Sequence, residues 1–416
     1  MARVAPTPPL PERESAASPA DVARVVPRAL RGILNLDDFE RAAASFLPRR
    51  IFTFVSSGAE DCAALRGNRA AYADYALVPR VLRDVSVRDQ GVELFGRRYA
   101  SPFGIPPLGL CALSAYRGDL VLARAAAEAR IPMILSGSSL IPMEEVAAAA
   151  PDTWFQAYLP GDEPRTVALV ERVAKAGFRT LVVTLDTPVS ANRENNTRAG
   201  FTIPLRPTPG LAWDGISHPR WLFGTFLRTL LRHGMPHFEN SYATRGVAIL
   251  SPDVVRSYAE RGHLDWGHLE LVRRMWKGTL VVKGVLSSAD ARAARDRGVD
   301  GCIVSNHGGR QLDSAVPPLR VLPGIVAACP GWPVMIDGGI RRGTDVLKAL
   351  ALGARMVFVG RPFNFAAAVA GEAGVHHAIG ILRDEVDRDM GLLGLNELGA
   401  LGPQHLFRNA SPRGDV

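Results

Sequence analysis

Short apolar runs recur along the chain from about residue 103, and stretches with the 3.6-residue period of amphipathic helices lie between them. The runs are rich in Val, Ile and Leu and do not alternate with polar residues, which is typical of parallel strands buried on both faces. The eight runs are residues 104–109, 131–135, 154–158, 180–185, 280–283, 302–305, 333–336 and 356–359. Helical stretches between them include 117–129, 163–176, 288–297 and 344–352.

This alternation predicts an α/β fold, a (β/α)8 TIM barrel. The alternative is a doubly wound sheet, which is less favoured because there are eight units and no Gly-x-Gly-x-x-Gly turn follows the first run. We also expect a helical N-terminal extension over residues 37–75 and a long insertion after strand 4, residues 187–250. An insertion of that length is usually functional or disordered. The predicted barrel domain is 31–400, between a flexible N-terminal tail, 1–30, and a C-terminal tail, 401–416.

Composition narrows the class of partner. The 416 residues include 49 Lys and Arg against 41 Asp and Glu, but the basic residues are spread over the chain without a nucleic-acid-binding motif, so we expect no nucleic-acid partner. The four cysteines form no CxxC pair or Cys/His cluster, so we expect no metal and a reduced, cytoplasmic compartment. No run reaches the roughly 18–20 apolar residues of a membrane-spanning helix, and the N-terminus lacks the apolar core of a secretory signal.

A polar residue or a glycine follows each predicted strand, at the edge where such barrels carry their active groups. After strands 7 and 8, glycines accompany Arg341 and Arg361, a pattern that favours a phosphate-binding site. Lys283 falls inside strand 5, where a buried ammonium needs an anion or a delocalised negative charge nearby. The alternative for Lys283 is a structural salt bridge to a neighbouring carboxylate.

His307 lies in a glycine-rich loop after strand 6, and an imidazole is suited to act as a general base near neutral pH. We expect Asp186, at the end of strand 4, to orient this ring and to stabilise its protonated form. Arg310 follows three residues later and is suited to bind a carboxylate, with Arg193 and Tyr158 as further candidates. The alternative is a loop histidine whose ring is satisfied by backbone groups.

The loop at residues 305–313, Ser-Asn-His-Gly-Gly-Arg-Gln-Leu-Asp, resembles that of the FMN-dependent L-2-hydroxy acid oxidase/dehydrogenase family. This family includes glycolate and lactate oxidases and membrane-associated lactate and (S)-mandelate dehydrogenases. The resemblance extends over about residues 37–398. Further matching segments are Ser-Gly-Ala-Glu-Asp at 57–61, Leu-Asp-Thr-Pro at 185–188, Lys-Gly-Val at 283–285, Asp-Gly-Gly-Ile-Arg-Arg-Gly-Thr-Asp at 337–345 and Gly-Arg-Pro at 360–362.

The resemblance implies roles at the matching positions, with His307 as base and Lys283 beside the N1/C2 edge of the flavin. The implied catalytic residues are His307, Asp186, Tyr158, Arg310 and Arg193. The implied FMN-binding residues are Pro107, Leu108, Gly109, Ser136, Gln156, Thr184, Lys283, Ser305, Asp337, Gly338, Gly339, Arg341, Gly360 and Arg361. The implied substrate-binding residues are Phe54, Ser138, Tyr158, Arg193, His307 and Arg310.

Two positions depart from the family pattern. Phe54 stands where the family usually has a substrate-binding tyrosine, which removes a hydroxyl from the carboxylate site. Ser138 stands where short-chain hydroxy acid oxidases have a large aromatic residue, which leaves a roomier pocket. The departure at Ser138 favours a bulkier substrate than glycolate.

The function that the resemblance implies is FMN-dependent oxidation of a lactate- or mandelate-like (S)-2-hydroxy acid to the 2-keto acid. The implied electron acceptor is a quinone, a cytochrome or oxygen, and the implied assembly is a homo-oligomer, a tetramer. One alternative is an oxidase that uses oxygen and releases hydrogen peroxide. An alternative of another class is a catalytically decayed FMN-binding partner protein, against which the joint presence of His307, Asp186, Arg193 and Arg310 argues.

Residues 218–233 of the insertion are predicted to form an amphipathic helix that docks on a membrane. Arg228 and Arg232 fall opposite an apolar arc, and the helix is too short to span a bilayer. The alternative is an ordinary helix packed on the barrel, but membrane-associated dehydrogenases of the family carry a similar His-Pro-Arg-Trp segment. We therefore expect a cytoplasmic protein that is peripheral on the inner face of the cell membrane. The arc comprises Leu222, Phe223, Phe226, Leu227, Leu230 and Leu231.

Overall fold

The computed structural model describes residues 27–206, 208–253 and 261–409. Eight parallel strands, numbered here β1 to β8, form one sheet in the order β1-β8-β7-β6-β5-β4-β3-β2. A parallel bridge between Ile105 and Met133 joins the two edge strands and closes the sheet into a barrel. The predicted TIM-barrel fold is therefore confirmed. The strands are β1 Phe103–Gly104, β2 Ile134–Ser136, β3 Trp154–Ala157, β4 Thr180–Thr184, β5 Thr279–Val285, β6 Gly301–Val304, β7 Val334–Asp337 and β8 Val357–Phe358.

Both faces of the strands are buried, which is why their sequences are continuously apolar. Side chains that point inward, such as Val182, Val281 and Ile303, form a cluster inside the barrel. Their neighbours on the same strands, such as Val183 and Val282, pack outward against the helices. The first strand is shorter than the predicted run, because prolines at 106 and 107 cannot donate to a strand ladder.

The helices that follow the strands form the outer layer of the barrel. The last of them has a kink at Ala370 and Gly371. In chain order they are Cys111–Ser114 and Gly118–Glu128 after β1, Met143–Ala149 after β2, Glu163–Lys175 after β3, Trp266–Met275 before β5, Ser288–Asp296 after β5, Pro318–Ala328 after β6, Gly343–Ala351 after β7 and Arg361–Leu393 after β8.

The long helix Arg361–Leu393 meets the length and composition of a membrane span, with a mean hydropathy of 1.3 in its most apolar window. Half of that window is buried inside the molecule. The helix also packs against Gly118–Glu128 and against the N-terminal helix Leu36–Phe46. Its apolar character is thus that of a core helix in the barrel wall.

The predicted N-terminal extension is helical. Its first long helix begins at a capping box in which the Asn35 side chain accepts from the backbone N–H of Asp38. The extension comprises Arg28–Leu30, Leu36–Phe46, Arg49–Ser56, Ala63–Ala70 and Ala71–Asp74. Two antiparallel strand pairs follow, Val92–Leu94 with Arg97–Tyr99 and Tyr75–Leu77 with Leu406–Arg408.

Of the two predicted tails, residues 1–26 and 410–416 lie outside the described part of the chain. The described remainder is ordered against the barrel, since Leu30 is fully buried and residues 406–408 pair with an N-terminal strand. Short turns at Leu398–Ala400 and Pro403–His405 lead into that strand.

The insertion after β4 contains several helices, but its apolar residues do not form the single predicted arc. Leu222 and Phe226 pack on the barrel core, whereas Phe223 and Leu231 are exposed. The reason is that Leu222–Leu227 is a π-helix, whose wider turn shifts the side chains that follow. The other helices of the insertion are Glu194–Ala199, Pro209–Ile216, Pro219–Trp221 and Arg228–His233.

Candidate active site

A cleft of about 600 Å³ lies at the carboxyl ends of the barrel strands. This volume is typical of a small-molecule or cofactor site. Its wall brings together most of the site residues predicted from the sequence, which come from nine separate segments. Those in the wall are Phe54, Pro107, Leu108, Gly109, Ser138, Tyr158, Arg193, Lys283, His307, Arg310, Asp337, Gly338, Gly339, Arg341, Gly360 and Arg361.

Five predicted residues are not in the wall of the cleft and instead adjoin it. Asp186 contacts His307, and the Ser305 hydroxyl contacts both His307 and Lys283. The Ser136 hydroxyl donates to Gln156 Oε1 at 3.3 Å. The fifth residue, Thr184, is buried at the end of β4 and pairs in register with Lys283 on β5.

The side chains of His307, after β6, and Asp186, after β4, are in hydrogen-bond contact. The Nδ1 atom of His307 lies 2.9 Å from Oδ1 of Asp186, although the two residues are 121 positions apart. The backbone of His307 is in the left-handed region, with φ +57°. Such a conformation is uncommon in a residue other than glycine, and active sites are among the places where it occurs. The backbone N–H of His307 donates to Ser305 Oγ at 3.0 Å.

The environment shifts the pKa of both partners. Burial lowers the pKa of the His307 imidazole below its usual value, with Lys283 and Arg193 acting in the same direction, and Asp186 opposes the shift. For Asp186, burial alone would raise the pKa of the carboxyl, but the His307 contact and Lys283 outweigh burial and lower it. At neutral pH the pair is therefore a carboxylate next to a neutral imidazole, which is the state of a base that can accept a proton.

Two glycines make this arrangement sterically feasible. A Cβ on Gly284 would lie 2.6 Å from Cγ of Asp186, and φ is +100° there. A Cβ on Gly309 would lie 2.5 Å from the backbone nitrogen of Leu65, because the histidine loop packs against helix Ala63–Ala70. A side chain at Gly284 would displace Asp186, and one at Gly309 would separate the histidine loop from helix Ala63–Ala70.

Lys283 is buried and has two partners. Its Nζ lies 3.0 Å from Oδ2 of Asp337 on β7 and donates to Ser305 Oγ at 2.9 Å. The salt bridge considered as the alternative for this lysine is therefore present. The same residue also forms part of the wall of the cleft, so a structural contact and a role towards a ligand coexist.

The two arginines expected to bind a carboxylate are held by backbone carbonyls. Arg310 Nη1 donates to the carbonyls of Phe54 and Ser57 at 2.7 and 2.9 Å, and its guanidinium lies over the Phe54 ring. Arg193 Nε donates to the carbonyl of Arg310 at 3.2 Å. Burial lowers the pKa of Arg310 well below its usual value, and Arg193 and Arg361 act in the same direction. An anion between the two arginines would relieve this repulsion.

The predicted phosphate end of the cleft contains Arg361 and Arg341. Arg361 donates to the carbonyls of Val55 and Gly308 at 2.9 and 3.1 Å, and burial lowers its pKa to about 10. Arg341 is also buried and lies 3.2 Å from Asp37 of the N-terminal helix. The contact with Asp37 links the extension to the site, and no local sequence pattern indicates it.

Buried polar atoms beside the cleft fit a flavin cofactor. Gln156 Nε2, Thr184 Oγ1 and Asp337 Oδ1 are buried without a hydrogen-bond partner among the described protein atoms. A buried amide or hydroxyl group that lacks a partner is costly, and a ring system bearing carbonyl and N–H groups would satisfy such atoms. At Gly360, a Cβ would lie 3.3 Å from the side chain of Leu108, so a larger residue there would crowd the wall of the cleft.

Several cleft residues were not found from the sequence. Phe201 stacks on Phe54 with ring centres 4.5 Å apart, and Gln311 accepts from Arg193 Nη2 at 3.1 Å. Arg261 lies in the wall of the cleft with its guanidinium 4.6 Å from the centre of the Tyr158 ring. The sequence could have indicated Gln311, because it belongs to the histidine loop. Phe201 lies in the insertion and Arg261 after it, and no local sequence pattern indicates that either residue reaches the cleft.

The chain was compared with known families and proteins. Residues 43–408 match the family described as FMN-dependent dehydrogenase. The (S)-mandelate dehydrogenase of Pseudomonas putida is 36% identical over 377 residues, which cover 90% of this chain and 94% of that protein. The 4-hydroxymandelate oxidase of Amycolatopsis orientalis is 39% identical over 88% of this chain and 96% of its own length. Among solved structures, monotopic membrane protein (S)-mandelate dehydrogenase superposes with a TM-score of 0.82 at 35% identity, covering 91% of this chain and 100% of that one.

Proposed function

Because the chain belongs to the FMN-dependent dehydrogenase family, we propose that it oxidises an (S)-2-hydroxy acid to the corresponding 2-keto acid. The observation that carries the proposal is the His307–Asp186 contact of 2.9 Å at a cleft whose wall also contains Arg193 and Arg310. A base beside a pair of guanidinium groups is the combination needed to deprotonate a substrate that is anchored by its carboxylate.

In this mechanism Arg310 and Arg193 bind the substrate carboxylate, and the Tyr158 hydroxyl contacts the substrate hydroxyl. Since Nδ1 of His307 faces Asp186, Nε2 is the nitrogen that accepts the substrate proton. The Asp186 carboxylate then stabilises the imidazolium. Bound FMN supplies the two-electron acceptor for this oxidation.

The residues proposed to hold FMN fall into three groups around the cleft. Lys283 is assigned to the N1/C2 edge of the ring, where an ammonium favours negative charge. Ser136, Gln156, Thr184 and Ser305 are assigned to ring hydrogen bonds, with the backbone at Pro107, Leu108 and Gly109. Asp337, Gly338, Gly339, Arg341, Gly360 and Arg361 are assigned to the ribityl phosphate.

Anaerobic mixing of the purified yellow protein with a panel of 2-hydroxy acids tests the proposed function. We expect at least one (S)-acid to bleach the flavin absorbance and its (R)-enantiomer to be inert. A flavin that no hydroxy acid bleaches, in protein that chemical reductants do bleach, would overturn the dehydrogenase assignment and favour the catalytically decayed binding protein.

The pocket predicts a preference for bulky or aromatic acids over glycolate. Ser138 is small, and the stacked rings of Phe54 and Phe201 provide an apolar surface in the same cleft. Each CH₂ group buried there contributes about 0.8 kcal/mol. We therefore expect kcat/KM for mandelate or 2-hydroxyoctanoate to exceed that for glycolate, with Ser138→Tyr reducing the difference. A higher kcat/KM for glycolate than for every larger acid would show that the pocket is closed.

The electron acceptor is proposed to be a quinone or a cytochrome rather than oxygen. Gly109, where oxidases of the family tend to have alanine, favours the dehydrogenase, whereas the likeness to 4-hydroxymandelate oxidase favours oxygen. Oxygen uptake and peroxide formation during turnover discriminate between the two. Assembly as a homo-oligomer, a tetramer, remains a prediction, to be measured by light scattering.

We propose further that the insertion places the protein on the inner face of the cell membrane. Four large apolar side chains of residues 209–233 are exposed: Trp213, Ile216, Phe223 and Leu231, at 61–86%. Arg220 and Arg232 are exposed in the same segment, as suits an anionic lipid interface. The likeness to a monotopic membrane protein supports this placement.

Co-sedimentation with anionic liposomes at low salt tests membrane docking. We expect the protein to pellet with the vesicles and a variant with Trp213, Ile216, Phe223 and Leu231 all replaced by Ser to stay in the supernatant. Deleting the whole segment is unsuitable, because Trp221 is buried and its Nε1 donates to the carbonyl of Leu113 at 2.7 Å. A matched control replaces the exposed Val81, Leu82 and Val87 by Ser. Equal pelleting of the two variants would exclude this docking surface.

A further inference from the structure

Gln311 is a half-buried residue of the histidine loop, residues 305–313, to which the proposed reaction gives no role. It lies in the wall of the same cleft as His307 and Arg193. Its side chain has two partners, because Oε1 accepts from Arg193 Nη2 at 3.1 Å and Nε2 donates to the backbone carbonyl of Asp186 at 3.0 Å. One amide therefore contacts both the arginine proposed to bind the carboxylate and the residue that partners the base.

The two contacts fix the orientation of this amide. A guanidinium N–H can only donate a hydrogen bond, and a backbone carbonyl can only accept one. If the amide were rotated by half a turn, its NH₂ group would face the donor of Arg193 and its oxygen would face the carbonyl of Asp186, so both hydrogen bonds would be lost. The contact with Asp186 thus keeps the oxygen of Gln311 directed at Arg193.

Arg193 lies close to a second cation. Its positive charge is among the causes that lower the pKa of Arg310, so the two guanidinium groups repel each other when no anion lies between them. Contacts with the histidine loop oppose their separation: Nε of Arg193 donates to the carbonyl of Arg310 at 3.2 Å, and Nη2 donates to Gln311. A side chain that is held in place before a ligand arrives loses less conformational entropy when the ligand binds.

We propose that Gln311 is a positioning residue that holds Arg193 in the orientation that binds the substrate carboxylate. This inference rests on the proposed function, which assigns Arg193 to that carboxylate. Because the amide of Gln311 is neutral and acts through Arg193, its contribution to binding depends on the negative charge of the ligand.

The test measures the binding of a ligand that has no hydroxyl to oxidise. Phenylacetate, which is mandelate without its hydroxyl, and the neutral phenylacetamide are titrated into the flavin-loaded protein, and each Kd is obtained from the change in flavin absorbance. Gln311→Met keeps the length of the side chain and removes both hydrogen-bonding groups. We expect this variant to bind phenylacetate about tenfold more weakly, as for the loss of a hydrogen bond to a charged group, and phenylacetamide with unchanged affinity.

A double-mutant cycle tests whether Gln311 acts through Arg193. In an Arg193→Met background, Gln311→Met should cause no further loss of phenylacetate affinity, since the group that Gln311 positions is gone. Gln90→Met is the matched control, because Gln90 is also half-buried and donates to a backbone carbonyl, that of Arg383, at 3.0 Å. Gln90 is not among the described residues in the wall of the cleft, so both Kd values should equal those of the wild type.

Equal weakening of phenylacetate and phenylacetamide binding by Gln311→Met, or a loss that persists in the Arg193→Met background, would show that Gln311 only supports the loop and would overturn the inference. Wild-type affinity of Gln311→Met for phenylacetate, or no binding of phenylacetate to the native protein, would also overturn it. If Gln311→Met does not retain flavin, the same measurements are made on Gln311→Asn, whose shorter amide cannot reach both partners. None of these results depends on turnover, so this test and the bleaching test of the proposed function can fail separately.

Discussion

Replacement of His307 by alanine is expected to leave the flavin bound and to slow its reduction by at least the roughly 10²–10⁴-fold that a general base contributes. Burial lowers the pKa of the imidazole, and Asp186 lies beside it. Among the described residues in the wall of the cleft, His307 is the single histidine, so its replacement removes the proposed base. Stopped-flow measurement of flavin bleaching with a saturating 2-hydroxy acid gives the rate.

The matched control for this variant is His405→Ala. His405 directly precedes strand Leu406–Arg408 and is not among the residues in the wall of the cleft. Near-wild-type reduction by His307→Ala would place the base elsewhere. Retention of the flavin spectrum in the variant is required, because Gly308 and Gly309 depend on the same loop conformation.

Replacement of Asp186 by asparagine is expected to slow reduction by about 10²-fold or more and to move its pH dependence. The amide cannot stabilise the imidazolium that forms when His307 accepts the proton. The sign of the pH effect follows from the shifts in the native protein. In the native protein the rate is expected to fall with decreasing pH, because His307 becomes protonated. The midpoint of this acid limb lies below the usual histidine pKa, because burial lowers the pKa of His307. Asp186 opposes that shift, so its loss should move the acid limb to still lower pH.

A pH profile of flavin reduction from acid to neutral pH in both proteins measures this effect. If Asp186→Asn has a lower maximal rate and an acid limb at lower pH than the native protein, His307 and Asp186 act together in catalysis. A lower plateau with an unmoved limb would mean that Asp186 acts on the substrate or on the loop rather than on His307.

Much of the fold was determined by local sequence. The strands are buried on both faces, so β4 to β7 are continuous apolar runs, and the predicted positions of their helices agree with Glu163–Lys175 and Ser288–Asp296 to within a residue or two. The residues at the strand ends could be grouped before the structure was known, because parallel strands bring all their carboxyl ends to one rim. His307 and Lys283 follow from that geometry and from their residue types.

Tertiary structure alone decided the features that depend on contacts between distant segments. The Asp37–Arg341 ion pair, the stacking of Phe201 on Phe54 and the contact of Arg261 with Tyr158 cannot be read from a periodic pattern, because each joins segments that are distant in the sequence. The insertion is the clearest case: its sequence fits one amphipathic helix, but packing of Leu222 and Phe226 on the core favours a π-helical turn that divides the predicted apolar arc. The sequence by itself determined the barrel and the chemistry at its rim, because local hydrophobic patterns indicate which strands are buried and where each strand ends. The shape and charge of the substrate end of the cleft were decided by long-range packing, which local patterns do not encode.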